Sequence, residues 1–413
     1  MTANERPLKL AVLCPHFAPD TAPTGDVMTR IVLELAELGH ELHVVTSLPW
    51  YRAHAIEPGW TGRLVRRETT PWGSITRVDP FPGGDKRNLV RRALGFAGFS
   101  VLTGAMSLRG GRVDAVIAMS PPLTLGLTGW VTHLVRRGPL VFNIQDVFPD
   151  AAVRTGAITN TRVIALGSWL ERVSYHRAAA VTVLSDDLRA NVAAKVAPSH
   201  RDRVHVIPNF VDTEAIHPAD RHTPYRTELG IGDEPVVLYA GNVGFSQSLE
   251  LVLAAARELP EVSFVIAGDG AARASLGEQA AGLANVHFLP YQPKDRLVQL
   301  LATGDVHVVP LRAGLGNVSV PSKTYSILAA GRPVLASIDP GTEVPRIVAA
   351  ADAGRCVEPD RPELFVAALR DLLARPDELA RQGAAGRRWV TAAASPRAVA
   401  VAYQDLVRSL RRA

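Results

Sequence analysis

The sequence predicts an α/β protein built from two doubly wound domains, and three observations predict it. At 413 residues the chain exceeds what one hydrophobic core usually organises. Its apolar residues collect in short continuous runs of the kind that form parallel strands buried on both faces, and most are followed by a segment with helical spacing. The alternation starts afresh at Val236, after a polar stretch with prolines. Hydrophobic residues make up 47% and charged residues 21%, which excludes a disordered chain. The net charge of +5 suits phosphate-bearing ligands or an anionic membrane surface without choosing between them.

Leu8 to Cys14 is the first strand. A dinucleotide-binding protein places GxGxxG directly after it, whereas this chain has CPHFAPDTAPTGD, so hydride transfer is excluded. That loop ends at Thr24, Gly25 and Asp26, and a helix follows from Val27 to Leu38 with Gly39 as its stop. Glu41 to Thr46, Ser74 to Val78 and Asp114 to Ser120 are further strands. Between the last two, Ala93 to Leu108 carries no charge and is flanked by Lys86, Arg87, Arg91, Arg92, Arg109 and Arg112. It is too short to cross a hydrocarbon core of roughly 30 Å. A buried helix and a helix resting on the inner face of a membrane both fit.

Leu123 to Val135 reads as a helix, and the strand Leu140 to Gln145 delivers Asp146. A carboxylate there either points into the crevice where open α/β sheets bind ligands or caps the next helix. Trp169 to Arg177 is helical, and Ala180 to Ser185 is a strand whose last residue caps a helix. His16, His133 and His176 are acid–base candidates, each with an ordinary structural alternative. Cys14 and Cys356 read as buried fillers in a reducing compartment, and the first residues lack a signal pattern, so cytoplasmic residence is expected.

In the second half, Val236 to Ala240, Ser263 to Ala267, Val286 to Pro290, Asp305 to Pro310, Pro333 to Ser337 and Gly354 to Glu358 are strands. Glycines follow the first two, at Gly241 and Gly244 and at Gly268 and Gly270, where a backbone can approach an anion closely. The longest informative stretch runs from Gly314 to Glu343, GLGNVSVPSKTYSILAAGRPVLASIDPGTE. A glycine-rich loop, a lysine at the head of an apolar helix, a turn at Gly331 and a strand suit the binding of a phosphate, or describe an ordinary loop, helix and strand. The final helix, from Ser395-Pro396 to about Leu410, is amphipathic.

This last stretch resembles the donor-binding region of family 4 glycosyltransferases, in particular a bacterial polysaccharide-assembly branch with Pro-Ser-Lys followed by Ala-Ala-Gly-Arg-Pro. Gly39-His40-Glu41-Leu42-His43-Val44, Val206-Ile207-Pro208-Asn209-Phe210-Val211-Asp212 and Gly268-Asp269-Gly270 are also similar to family segments. The resemblance implies the GT-B fold, two Rossmann-like domains facing each other across a cleft. It divides the chain into an acceptor-side domain (1–207), a linker (208–226), a donor domain (227–394) and a helix crossing back (395–413).

The resemblance further implies a retaining hexosyl- or N-acetylhexosaminyltransferase with no metal and no cofactor, taking a nucleoside diphosphate sugar. Asp146 and Lys323 would be catalytic, and Thr24, Gly25 and Asp26 would lie on the acceptor side. The donor would meet Gly241, Asn242, Gly244, Gly268, Asp269, Tyr291, Gly316, Asn317, Val318, Ser322, Ser326 and Glu343. Family members commonly carry an Arg and a Lys in the first glycine loop and a pair of glutamates further on. Here Asn242 and Gln247 or Ser248 take the first places, and Ser319 and Ser326 the second. The acceptor implied is a lipid-linked glycan at the inner membrane face; a soluble small molecule is the alternative acceptor. A sugar-nucleotide 2-epimerase and a non-catalytic sugar-nucleotide-binding subunit are the competing classes. Nucleic acid is not expected, because basic residues do not interleave with aromatic ones.

Overall fold

The computed structural model describes residues 6–52, 55–81, 89–148, 150, 160–316 and 321–412. The chain divides into two compact α/β units, one of residues up to Asn209 together with those from Val399, the other Phe210–Ala398.

The first unit holds an eight-stranded sheet in the order β3-β4-β2-β1-β5-β6-β7-β8. Its strands are β1 (Lys9–Leu13), β2 (Glu41–Ser47), β3 (Val65–Thr70), β4 (Gly73–Val78), β5 (Ala115–Ser120), β6 (Leu140–Ile144), β7 (Ala180–Val183) and β8 (Val204–Val206). The helices described are α1 (Pro23–Glu37), α2 (Leu89–Ser107), α3 (Thr124–Arg136), α4 (Thr161–Arg177) and α5 (Asp186–Lys195). Every residue of β5 and β6 is buried, which is why both appear in the sequence as unbroken apolar runs. All pairings are parallel except β3 with β4. β3 reads VRRETT and escaped the sequence analysis because an exposed edge strand carries no apolar signal. The sheet grows one way from β1 and the other way from β5, so the crevice at the switch point opens beside the carboxyl ends of these two strands.

The second unit holds a six-stranded parallel sheet in the order β11-β10-β9-β12-β13-β14. Its strands are β9 (Val236–Ala240), β10 (Ser263–Ala267), β11 (Val286–Leu289), β12 (Val306–Pro310), β13 (Val334–Ser337) and β14 (Gly354–Val357). They alternate with α6 (Pro224–Leu229), α7 (Glu250–Glu258), α8 (Arg273–Gln279), α9 (Leu297–Thr303), α10 (Lys323–Ala329), α11 (Glu343–Ala351), α12 (Pro362–Leu373) and α13 (Pro376–Ala393). The switch point lies between β9 and β12. A last helix, α14 (Pro396–Arg412), is capped by Ser395, whose Oγ accepts the Ala398 N–H at 3.1 Å. In the first unit its Tyr403 hydroxyl is buried, takes a hydrogen bond from Asn143 Nδ2 at 2.7 Å and lies 3.2 Å from Thr182 Oγ1.

Two expectations are corrected. α1 starts at Pro23 instead of Val27, because proline at the first helical position needs no N–H partner, so Thr24, Gly25 and Asp26 form its first turn. Cys356 is exposed, since β14 is the sheet's edge, while Cys14 is buried. The Ser248 hydroxyl donates to Asp360 at 2.5 Å. Much of the 208–226 stretch packs into the second unit, with Val211, Ile216, Tyr225 and Arg226 buried.

Asp305 holds that packing together. Its carboxylate accepts from Arg221 Nε and Arg226 at 2.8 Å each, and from the Val236 N–H at 2.8 Å, so the head of β9, the head of β12 and α6 share one charge cluster. The Arg226 side chain is 3% exposed and that of Arg221 29%. Asp305→Asn is therefore expected to cost about 3 kcal/mol in urea unfolding by leaving the Arg226 guanidinium buried without its counter-charge. Arg221→Gln, which removes a wetter partner, should cost only about 1 kcal/mol.

Candidate functional site

The second unit carries a cavity of ≈ 160 Å³ at the carboxyl ends of β9 and β10. Its wall includes Gly241, Gly268, Tyr291 and Ser326, four of the residues expected to meet the donor, together with Lys323, expected to be catalytic. The two glycines are there for want of a side chain. Gly268 has φ +139°, and a Cβ on it would stand 1.9 Å from the Gly241 carbonyl oxygen. Gly241 has φ +145°, and a Cβ on it would stand 3.0 Å from Lys323 Nζ. Two loops can thus interleave, Gly241 N–H donating to Ala267 and Val243 N–H to Asp269 at 2.9 Å each, and leave bare backbone beside the lysine.

Lys323 is the first residue of α10. Its ammonium lies 3.8 Å from the centroid of the Tyr239 ring. It makes no hydrogen bond or ion pair with a described residue, and among the described residues no carboxylate lines the cavity. Burial away from water pushes its pKa down from the usual lysine range to about 7. A cation desolvated in this way, with only an aromatic face for company, gains most from a ligand that brings negative charge with it. The Tyr239 hydroxyl is turned away to donate to the Asn242 carbonyl at 2.5 Å, and burial raises its pKa above the usual tyrosine range.

The remaining expected donor residues divide into several groups. Asn242 is exposed in the loop, and the Gly244 N–H donates to Gln247 Oε1 at 3.0 Å. The Asp269 carboxylate takes the N–H of Gly270 at 2.8 Å and so serves its own turn. Ser322 is exposed at the head of α10, where its side chain caps nothing. Asn317 and Val318, with Ser319, lie outside the described residues. Gly316 corrects an expectation, because its N–H is engaged: Gly314 and Gly316 both donate to the Asp339 carboxylate at 2.9 Å. Glu343 likewise has its charge met by Arg346 at 2.9 Å, one turn on in α11, which withdraws it from a free role.

Sequence reasoning missed Asp339, Gln292, Lys294 and His307. The last three also line the cavity. Gln292 is fixed by the Tyr225 hydroxyl at 2.7 Å and by the Pro290 carbonyl at 2.8 Å. His307 is fully buried, its Nε2 is 2.9 Å from the Leu301 carbonyl, and desolvation pushes its pKa down to about 4, so it is a neutral wall residue. A histidine inside an apolar strand gives no sequence signal of that kind.

In the first unit Asp146 stands two residues beyond β6, exposed and without a hydrogen bond or ion pair to a described residue. Its carboxylate caps no described N–H. Gly25 in α1 permits close packing, because a Cβ there would meet that of His16 at 2.8 Å.

Two parallel-sheet α/β units in one chain are the GT-B architecture. Sucrose-phosphate synthase from Thermosynechococcus elongatus matches over 98% of this chain and 99% of its own, with a TM-score of 0.71 at 18% identity. Anabaena HepE, solved in complex with UDP and glucose, matches over 97% and 100% with a TM-score of 0.64 at 14% identity. These likenesses establish the fold alone.

The sequence comparisons add the family. Residues 24–209 match the glycosyl transferase 4-like domain and residues 223–389 the glycosyl transferases group 1 model. WcaI of Escherichia coli, a glycosyl transferase assigned to colanic acid biosynthesis, is 28% identical over 89% of this chain and 93% of its own length. The D-inositol 3-phosphate glycosyltransferase of Nocardia farcinica is 29% identical over 94% and 87%. The chain belongs to the family 4 glycosyltransferases of GT-B fold, and it is a glycosyltransferase.

The depressed Lys323 pKa has a consequence for pH. Above about 7 the free protein holds a neutral amine, so an anion that needs the ammonium must take up a proton with it. Binding of a nucleoside diphosphate is expected to weaken as pH rises from 7 to 9, by up to about tenfold per unit. Calorimetry in buffers of different ionisation enthalpy should report the proton uptake. Lys323→Met should abolish both the uptake and most of the affinity, while the unfolding midpoint holds or rises.

Proposed function

We propose that the chain transfers a hexosyl or N-acetylhexosaminyl group from a nucleoside diphosphate sugar to a hydroxyl of a lipid-linked glycan, in cell-surface polysaccharide assembly at the inner membrane face. The observation that carries this reading is the Lys323 ammonium, without a carboxylate partner in a glycine-walled cavity at the switch point of the second sheet. When the bond between the anomeric carbon and the diphosphate oxygen breaks, its electron pair stays on the diphosphate. Lys323 meets that added charge. The acceptor oxygen bonds to the anomeric carbon, and Asp146 orients the hydroxyl or takes its proton. Retention of configuration is carried over from the family, and the UDP and glucose bound by HepE support a sugar-nucleotide donor.

The reading is tested by thermal unfolding with UDP, GDP, dTDP and ADP, each with and without its sugars. A nucleotide at a hundredfold excess over its Kd should stabilise the protein by about 2.7 kcal/mol. With that nucleotide's sugars as donor, Asp146→Asn should slow transfer about a hundredfold and leave donor affinity unchanged. If no nucleotide stabilises the protein, the proposed donor is wrong. If one binds and no transfer to membrane lipid follows, the lipid-linked acceptor is wrong and a soluble small-molecule acceptor replaces it.

The membrane-bound acceptor is supported by the outer surface of the first unit. α2 packs on α3 through Ser100–Thr124 and Ser107–Thr132 contacts of 2.6 Å. Outward from these helices and α4 stand Val101, Val131, Leu134, Val135, Leu166 and Trp169, Val101 being 74% and Leu166 63% exposed. Arg109, Arg112, Arg137, Arg162 and Arg172 are exposed on or beside the same helices. Apolar side chains of this size with arginines near them suit the interface of an anionic bilayer, and no described helix is long and apolar enough to cross one. The protein is expected to sediment with phosphatidylglycerol-containing vesicles and not with pure phosphatidylcholine ones. Leu134→Glu with Leu166→Glu should abolish that binding with nucleotide affinity intact.

A further inference from the structure

The switch point of the first sheet lies beside the carboxyl end of β1, where Pro15 to Asp20 form a braced loop. Arg77 donates to the Ala18 carbonyl at 2.5 Å, Ser47 Oγ to the Pro15 carbonyl at 2.6 Å, and the Ala18 N–H to Thr29 Oγ1 at 2.9 Å. Within it the buried Asp20 accepts His16 Nδ1 on one oxygen at 2.6 Å and the Tyr51 N–H on the other at 3.1 Å. A buried carboxylate facing Nδ1 favours a proton on that nitrogen, and in the Nδ1–H tautomer Nε2 is the acceptor nitrogen. No described residue bonds Nε2, and it is not among the sealed, unsatisfied polar atoms, so solvent reaches it. The Trp50 ring is stacked on the imidazole at 5.6 Å and 27°, and Tyr51 stands edge-on at 5.4 Å and 78°.

This is a polar acceptor set between aromatic rings, and Arg77 and Arg52, cations of the described residues around it, are paired. Arg77 is bound to Glu68 at 2.8 Å and Arg52 to Glu57 at 3.4 Å. A phosphate would need a free cation or several N–H donors. A sugar ring needs an acceptor for a hydroxyl proton and an aromatic surface for its C–H face. We infer that His16, oriented by Asp20 and flanked by Trp50 and Tyr51, accepts a hydrogen bond from a hydroxyl of an acceptor sugar, and that this ring carries no phosphate. The inference rests on the glycosyl-transfer reading above and narrows its acceptor. His16 is a substrate-contacting group here, and Asp20 is a positioning residue.

The test is saturation-transfer NMR on the full chain with methyl glycosides of glucose, galactose, mannose, N-acetylglucosamine, rhamnose and fucose, beside glucose 6-phosphate and inositol 1-phosphate. At least one neutral glycoside should show saturated ring protons. His16→Ala and Trp50→Ala should each remove most of that signal, and His16→Gln, which keeps an acceptor atom, should retain part of it. The unfolding midpoint and nucleotide affinity, both read on the same samples, should be unchanged in His16→Gln.

The inference is overturned if no neutral glycoside binds, if only the phosphorylated compounds do, or if the signal survives His16→Ala. Nucleotide binding belongs to the second unit and is read separately. Loss of glycoside binding with nucleotide affinity intact sinks this inference alone, whereas no nucleotide binding with glycosides still held at His16 sinks the donor reading and leaves a carbohydrate site.

Discussion

A desolvated ammonium without a carboxylate is the constraint from which the second unit's binding face follows. Lys323 can sit where it does only if the β9 loop has no side chain at Gly241, and that loop can lie so close only if the β10 loop has none at Gly268. The Tyr239 face is the one favourable surface offered to the charge, worth on the order of 1 kcal/mol, far below what a full counter-ion returns. Holding a lysine near neutrality in pKa costs folding free energy, and the Asp305 cluster at the opposite ends of β9 and β12 supplies rigidity that keeps the arrangement from relaxing.

The same logic shapes the first unit in a different chemical key. There the braced element is a loop, and the buried charge is a carboxylate that does have a partner, His16. The partner's second nitrogen is what remains available. Each unit thus presents one polar group at the switch point of its sheet, a lysine in the second and an imidazole nitrogen in the first, which on the proposed reading serve the anionic and hydroxyl-bearing halves of a glycosyl transfer.

Much of this was legible in the sequence, and what was not has physical reasons. β9 and β10 occupy the residues their apolar runs mark out, because strands buried on both faces have no polar alternation to blur them. β3 was invisible for the opposite reason, and α6, α8 and α9, of six or seven residues each, are too short for a helical period to register. Lys323 was found through its neighbours in the chain, but its desolvation was not, since that depends on Tyr239 and Gly241 coming from another strand. The Gly316 amide was expected to face a phosphate because glycine-rich loops often do so; Asp339, beyond the next strand, takes it instead. His16 and Asp20 stand four apart, a spacing that reads as helical, yet the prolines around them form a loop, so only the fold reveals the pair.

The serine at 326 acquires a reason from this geometry. A glutamate in that cavity wall would place a carboxylate within the same small, poorly solvated volume as Lys323. It would pair with the ammonium, return its pKa toward the ordinary range and compete with any diphosphate for it. With serine there, the cation has no internal partner, and its full electrostatic attraction is reserved for the ligand. The same change removes a negative charge that would favour positive charge developing at an anomeric carbon. On the proposed reading, catalysis built this way would depend on stabilising the departing diphosphate more than on stabilising the sugar cation, which would place the weight of the chemistry on Lys323 and the bare backbone beside it.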